Sequence, residues 1–268
     1  MKRFLAPILF CAVFLSCEEA IEWQSSEEGR LPGLVVDGVF TNERSIQSVR
    51  LTKPVEQMSE TPVAVSGANV IISDGSNHVH LIESTAEPGN YETESPVRGI
   101  TGRNYYLRID WEEHVYWAVD SMVPLSTEKA VFVVPDDSAG WYKLAFQERG
   151  NPAMIEVLMQ WDHLSDTCME KEFQARQVFY VLYNVDVNKA FSWNKEKIRF
   201  PAGTRVIRKK YSLSPRHQEF ARSLLMETDW RGGIFDVLPG NVLTNVSNNG
   251  AGFFGACTVL TDTIIAGD

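Results

Sequence analysis

Apolar and polar residues alternate along much of the first half of the chain, which is the pattern of half-buried β-strands. Between residues 105 and 111 the alternation is regular, with Tyr105, Leu107, Ile109 and Trp111 on one face and Tyr106, Arg108 and Asp110 on the other. Successive side chains of a strand point to opposite faces, so the first set is expected to face a core. Short β-branched and aromatic runs, separated by turn signals, fill residues 31–125. This region is predicted to be an immunoglobulin-like or transthyretin-like β-sandwich.

Two turns in this region have a distinctive local chemistry. The runs 70–72 and 78–82 flank Asp74-Gly75, and Asp-Gly supplies the positive φ that tight hairpin turns need. These runs are therefore expected to form a hairpin. The tetrapeptide Gly102-Arg103-Asn104-Tyr105 resembles the corner before a late strand of immunoglobulin-like sandwiches, where a tyrosine hydroxyl hydrogen-bonds back to the main chain.

The second half of the chain, residues 126–268, is predicted to be a further β domain with one packed α-helix. Ser214 is a suitable N-cap and Pro215 a suitable first-turn residue, and apolar residues follow at helical spacing: Phe220, Ala221, Leu224 and Leu225. The helix is expected at about 214–228, packed by one face on a sheet. The other runs predict strands, at 130–134, 141–147, 154–161, 174–187, 204–212 and 252–265.

The first residues are organised like a secretion signal. Lys2 and Arg3 precede an apolar run, about half as long as a membrane-spanning helix, and Leu15-Ser16-Cys17 resembles a lipobox. We expect residues 1–16 to be a lipoprotein signal peptide and the thiol of Cys17 to carry the lipid. An ordinary signal peptide with an incidental cysteine is the alternative. The polar segment 17–30 would then be a tether from the membrane to the first domain.

Charge and cysteine content narrow the classes of protein. The 268-residue chain has a formal net charge of −10, and loss of the signal removes two cations and no acid, which leaves −12. Bulk charge therefore does not favour binding to nucleic acid. Cys11 leaves with the signal and Cys17 is expected to be lipidated. The remaining two, Cys168 and Cys257, could form one disulfide or stay as free buried thiols.

Motifs for catalysis or for a cofactor do not occur in their required context. Residues 250–255 match the dinucleotide fingerprint GxGxxG, but only 13 residues follow and they predict strand, so no helix would receive a pyrophosphate. The sequence contains neither a Gly-x-Ser-x-Gly elbow nor a His-Glu-x-x-His motif. We therefore expect a non-enzymatic protein without a cofactor.

Two groups of residues have some features of a metal site. His78 and His80 are two apart on a predicted strand and would share a face, but a third ligand is not evident. The loop 162–168 contains aspartate, histidine and cysteine at a spacing that matches no metal or Cys-His motif. We interpret the histidines as solvated and the loop as a polar connection, and expect no metal.

The seven tryptophans are the most suggestive binding feature, because exposed aromatic rings stack on sugars and peptides. Three lie in strand patterns and are expected in the core: Trp111, Trp117 and Trp161. Three others lie near the ends of predicted elements or in loops and are candidates for ligand binding: Trp141, Trp193 and Trp230. Partial burial against the local core is the alternative for each candidate.

Several short motifs are distinctive: GGIFDVLPGNV at 232–242, TNV at 244–246, GAGFFGA at 250–256 and GITGRNYYL at 99–107. Together with Ser16-Cys17-Glu18 they resemble the outer-membrane lipoprotein family catalogued as domain of unknown function 4249. The resemblance implies a lipoprotein of Bacteroidetes-like bacteria, often encoded beside a TonB-dependent transporter, with no established enzymatic activity. Glu18 and Glu19 resemble the acidic signal for export to the cell surface. The only functional residue that the resemblance carries over is Cys17.

The function that we expect is that of a lipid-anchored protein on the exterior of the outer membrane. It would assist a TonB-dependent transporter in capturing a small peptide or glycan. One alternative is a structural or adhesive, fimbrillin-like surface protein, which would need a displaceable edge strand such as 34–36. The other alternative is an unrecognised hydrolase, which would need a polar pocket with convergent titratable groups.

Overall fold

The first module is one continuous eight-stranded β-sheet. The computed structural model describes residues 33–55, 60–164, 174–183, 198–229 and 242–268. The strands of this sheet are β1 (Leu34–Thr41), β2 (Ser48–Thr52), β3 (Asn69–Ser73), β4 (His78–Glu83), β5 (Asn90–Thr93), β6 (Asn104–Trp111), β7 (His114–Ser121) and β14 (Gly250–Cys257). They pair in the order β14-β1-β2-β5-β4-β3-β6-β7, and every pair is antiparallel except β1 with β14.

The eight-stranded sheet curls so that its two edge strands, β14 and β7, meet and enclose a core. The main-chain N–H of Ala256 on β14 donates to Asp120 Oδ2 on β7 at 2.8 Å, and the N–H of Ser247 donates to the carbonyl of Trp117 at 2.8 Å. The enclosed core consists of the inward residues of the alternating strands, among them Leu34, Val36, Leu51, Ile72, Tyr91, Leu107, Ile109 and Phe254. The first module is therefore a β-sandwich that is closed by the contacts between β7 and β14.

The local turn predictions for this module are confirmed. β3 and β4 form the expected hairpin, and Gly75 lies in its turn with φ of +88°. The hydroxyl of Tyr105 accepts the main-chain N–H of Ile100 at 2.6 Å, which is the tyrosine corner expected before a late strand. This hydrogen bond fixes the path of the chain into β6.

The second module packs a three-stranded sheet on a four-stranded sheet. The first sheet contains β8 (Val131–Pro135), β9 (Trp141–Phe146) and β12 (Arg199–Pro201) in the order β12-β9-β8. The second contains β10 (Ala153–Gln160), β11 (Gln174–Val181), β13 (Arg205–Ser212) and β15 (Val259–Ile265) in the order β11-β10-β13-β15. Inward residues of both sheets form the core, including Val131, Val157, Met159, Phe200 and Val206.

Helix α1 (Pro215–Glu227) is the one α-helix of the described residues, and it begins where the sequence predicts. Ser214 is its N-cap, and the serine hydroxyl oxygen accepts the N–H of His217 at 3.1 Å. Ala221 and Leu225 pack with Leu213 and Leu182 beside the four-stranded sheet. In the part of the chain that the structure describes, no helix is long and apolar enough to cross a bilayer.

The chain passes from one module to the other between two consecutive strands. β14 joins the first module and β15 the second, with only Thr258 between them. The sequence-based division placed all of 126–268 in the second domain, whereas the structure adds β14 to the first sheet. Gly252 allows the close parallel pairing with β1, because a Cβ atom there would lie 2.0 Å from the carbonyl oxygen of Val36. The prediction of a mainly β chain with a sandwich and one packed helix is confirmed.

Candidate functional site

An exposed aromatic and cationic surface covers the outer side of β6 and β7. Trp117 has 47% of its surface exposed, and Tyr106, Arg108 and Val115 beside it are also exposed. The orientation follows from the period of the strand, because Tyr116 and its alternate neighbours on β7 point into the core. The expectation that Trp117 lies in the core is therefore wrong.

Arg108 and Trp117 form the centre of this surface. They are directly opposite each other in the β6–β7 register, and the guanidinium carbon of Arg108 lies 5.2 Å from the centroid of the Trp117 ring. Nε of Arg108 also donates to Asp110 Oδ1 at 2.9 Å, which orients the guanidinium. The main-chain N–H of Trp117 donates to Ser247 Oγ at 2.8 Å, so the strand that carries the ring is held on its outer edge. The pair is a fixed cation–π contact on a rigid sheet.

The same surface continues across two further strands. Ile71 on β3 is opposite Arg108, and His80 on β4 is opposite Ile71, so the row from His80 to Trp117 crosses four strands. Neighbouring strands are about 4.8 Å apart, which makes the row roughly 14 Å long. We call this surface the aromatic face; it comprises Ile71, His80, Tyr106, Arg108, Val115 and Trp117.

The two exposed histidines of β4 do not form a metal site with other described residues. His78 and His80 are both exposed and share the outer side of β4, as the sequence predicts. Among the described residues, no three His, Cys, Asp or Glu side chains are grouped closely enough to hold a metal ion. The aromatic face thus offers stacking surfaces and N–H donors.

A second group of polar residues is buried where the two modules meet. We call it the junction cluster; it comprises Asp120, Ser214, His217 and Cys257. Ser214 Oγ donates to Asp120 Oδ1, Asp120 Oδ2 accepts the N–H of Ala256 at 2.8 Å, and Nδ1 of His217 lies 3.6 Å from the sulfur of Cys257. The cluster joins β7, α1 and β14.

Burial determines the ionisation of the junction cluster. It raises the pKa of Asp120 to about 6, lowers the pKa of His217 to about 4, and raises the pKa of the Cys257 thiol. A nucleophilic serine needs access to substrate, but the Ser214 hydroxyl is buried. The ring of His217 instead stacks on Phe253, with centroids 4.7 Å apart. The junction cluster is thus a structural contact that holds the two modules together.

The residues singled out in the sequence lie in several places. Trp141 begins β9 and is partly buried, and Trp161 is buried in the core of the second module. Cys257 is a free thiol and fully buried. The remaining candidates lie outside the described residues: Cys17, Cys168, Trp193 and Trp230. Trp141, the one tryptophan candidate among the described residues, is not part of the aromatic face.

Comparison with known proteins identifies the family. Among solved structures, the crystal structure of the chicken CNTN1 FN1-FN3 domains matches over 89% of this chain and 69% of that chain, with 10% identity and a TM-score of 0.28. No curated protein matches the chain. The family model described as domain of unknown function (DUF4249) matches residues 18–263. Because this match spans nearly the whole chain, the protein belongs to the DUF4249 family, as its motifs predict.

Proposed function

We propose that the protein is a non-enzymatic lipoprotein on the exterior of the outer membrane, where it captures a peptide or glycan for a TonB-dependent transporter. The observation that carries this proposal is the exposed Trp117–Arg108 pair on a rigid sheet. A contiguous exposed patch of aromatic and apolar side chains, in contrast to a single exposed ring, marks a binding surface.

The chemistry of the aromatic face suits a flat or extended ligand. The Trp117 and Tyr106 rings can stack on sugar rings or on the apolar side chains of a peptide. Arg108 adds N–H donors for hydroxyl or carbonyl oxygens next to the stacked group. A surface that crosses four strands favours several units of a chain-like ligand over one small molecule.

The position of β1 supports a membrane-proximal location for this face. The segment 18–32 connects Cys17 to the first module and can span at most about 50 Å. β1 starts beside β14 and the β6–β7 turn, where the N–H of Gly33 donates to the carbonyl of Asn249 at 3.0 Å. At the other end of β1, Glu43 pairs with Lys209 of the second module at 3.1 Å. With Cys17 lipidated, the tether therefore holds the end of the first module that points away from the second module within about 50 Å of the membrane.

The packing favours this proposal over the adhesive alternative. The segment 34–36 is part of β1, an interior strand that pairs with β14 on one side and β2 on the other. Leu34 and Val36 on it are fully buried. Withdrawal of the strand would open the core of the first module, so it is poorly suited to strand exchange.

Ligand binding is tested on arrays of peptides and glycans with the purified protein. Wild type is expected to bind a subset of one class, and Trp117→Ala is expected to lose that binding because the stacking platform is removed. Tyr183→Ala is the matched control, since Tyr183 is a 68% exposed aromatic residue on the second module. Equal binding by wild type and Trp117→Ala would contradict a role for the aromatic face.

A further inference from the structure

A cavity of about 200 Å³ lies beside β13 and β15, where residues 126–131 cross the inner side of the four-stranded sheet. Its apolar walls are side chains from the crossing segment, β10 and β15: Ala130, Val131, Ile155 and Leu260. Two cationic residues, Arg208 and Lys210, also line it from β13. Both occupy inward positions of the strand and are almost completely buried. Buried cations in an apolar cavity require partners.

Arg208 finds its counter-ion within the protein. Its Nε donates to Asp262 Oδ1 at 2.9 Å, its second nitrogen pairs with Asp262 Oδ2, and its third donates to the carbonyl of Val131 at 2.7 Å. This arrangement fastens the crossing segment to β15 and neutralises the guanidinium. Arg208 therefore has no need of a bound anion.

Lys210 is different, because its partners are neutral. The residue is 9% exposed, and its Nζ donates to the carbonyls of Ser126 at 2.9 Å and Glu128 at 2.7 Å. An ammonium group has three N–H donors, so these two bonds leave one donor over. Among the described residues, no carboxylate lies within ion-pair distance of Nζ. Burial lowers the pKa of Lys210, and the Glu128 carboxylate, which is beyond ion-pair distance, offsets this only in part.

We propose that this cavity binds a short-chain monocarboxylate. The carboxylate accepts the remaining N–H of Lys210 and forms a direct ion pair with its ammonium, while the hydrocarbon chain lies against Ile155 and Leu260. A water molecule occupies about 30 Å³ of liquid, so the cavity corresponds to roughly six or seven waters, which suits an acid of about four to six carbons. This site is separate from the aromatic face and independent of its ligand.

The first test is calorimetric titration of the full chain, in a non-ionic detergent, with butyrate and hexanoate. Saturable binding with a raised melting temperature is expected for the carboxylates. Butanol, butylamine and sodium chloride at the same ionic strength should give neither effect. A wild-type protein that binds no carboxylate saturably, or that is stabilised equally by chloride, would overturn the proposal.

The second test uses residue 260, which is directly opposite Lys210 in the β13–β15 register and points to the same side of the sheet. Leu260→Glu places a carboxylate beside the ammonium, so butyrate binding should weaken at least tenfold while the melting temperature holds or rises. Leu260→Gln has the same shape without the charge and loses the same apolar contact, so it should bind butyrate at least tenfold more tightly than Leu260→Glu. Leu260 is 43% exposed, so both variants are expected to fold. Equal butyrate affinity in the two variants would refute the role of Lys210.

Discussion

Replacement of Asp120 by asparagine changes how the stability of the protein depends on pH. Asp120 is 3% exposed, and burial raises its pKa from 3.8 to about 6 in the folded state. Because the pKa of Asp120 is higher in the folded state, protonation of this carboxyl stabilises the fold, and the stabilisation is complete at pH values below the unfolded-state pKa. The stabilisation is lost as the pH rises through the folded-state pKa. A difference of about two pKa units corresponds to about 3 kcal/mol. Ionised Asp120 therefore costs the folded state about 3 kcal/mol at pH 7 relative to pH 3.8.

The assay is urea unfolding of wild type and Asp120→Asn at several pH values from 4 to 7. Asparagine does not titrate but can still accept the N–H of Ala256. The free energy of unfolding of the variant, minus that of wild type, should therefore rise by about 3 kcal/mol from pH 4 to pH 7. The difference removes the titration of groups that both proteins share. A difference that stays constant with pH, or that falls, would show that hydrogen bonds from Ser214 and Ala256 outweigh burial.

Three further predictions concern other contacts. In urea unfolding, Gly252→Ala should destabilise the protein by at least about 2 kcal/mol more than Gly102→Ala. Both glycines have positive φ, but only at Gly252 would the added Cβ lie 2.0 Å from a carbonyl oxygen, that of Val36. Equal destabilisation by the two substitutions would contradict this close approach. The lowered pKa of His217 keeps this histidine neutral in the folded state, so the free energy of unfolding of wild type should fall by about 3 kcal/mol between pH 6.5 and pH 4. His217→Gln should remove this fall. An unchanged pH profile of unfolding would argue against the burial of His217. Tyr105→Phe should cost about 1 kcal/mol in thermal unfolding through loss of the corner hydrogen bond, and a neutral effect would mean that the corner contributes nothing.

Local patterns predicted those elements whose cause is local. The alternation in residues 105–111 gave β6, and Ser214 with Pro215 gave the start of α1. The assignment of β14 to the first module was not predictable in this way, because Leu34 pairs with Gly250 across most of the chain. Three glycines within 250–255 are the signal that remained, since glycine inside a strand often marks close approach of another backbone.

The candidate site was harder to predict because its strand is apolar on both faces. On β7, Val115 and Trp117 alternate with Tyr116 and Ala118, so periodicity alone does not say which pair faces water. The packing of Tyr116 against the start of β1 decides it. The cavity in the second module left no such signal either, because the buried Arg208 and Lys210 alternate on β13 with Ile207 and Tyr211, which are the more apolar residues.

The most direct test of the proposed function is affinity purification of the lipidated protein from native outer membranes, with wild type, Trp117→Ala and Tyr183→Ala in parallel. The account predicts that a TonB-dependent transporter copurifies in fixed stoichiometry with wild type and with both variants, and that a peptide or glycan is recovered with wild type and Tyr183→Ala but not with Trp117→Ala. Recovery of the wild-type protein alone, or as a polymer of itself, would contradict the account.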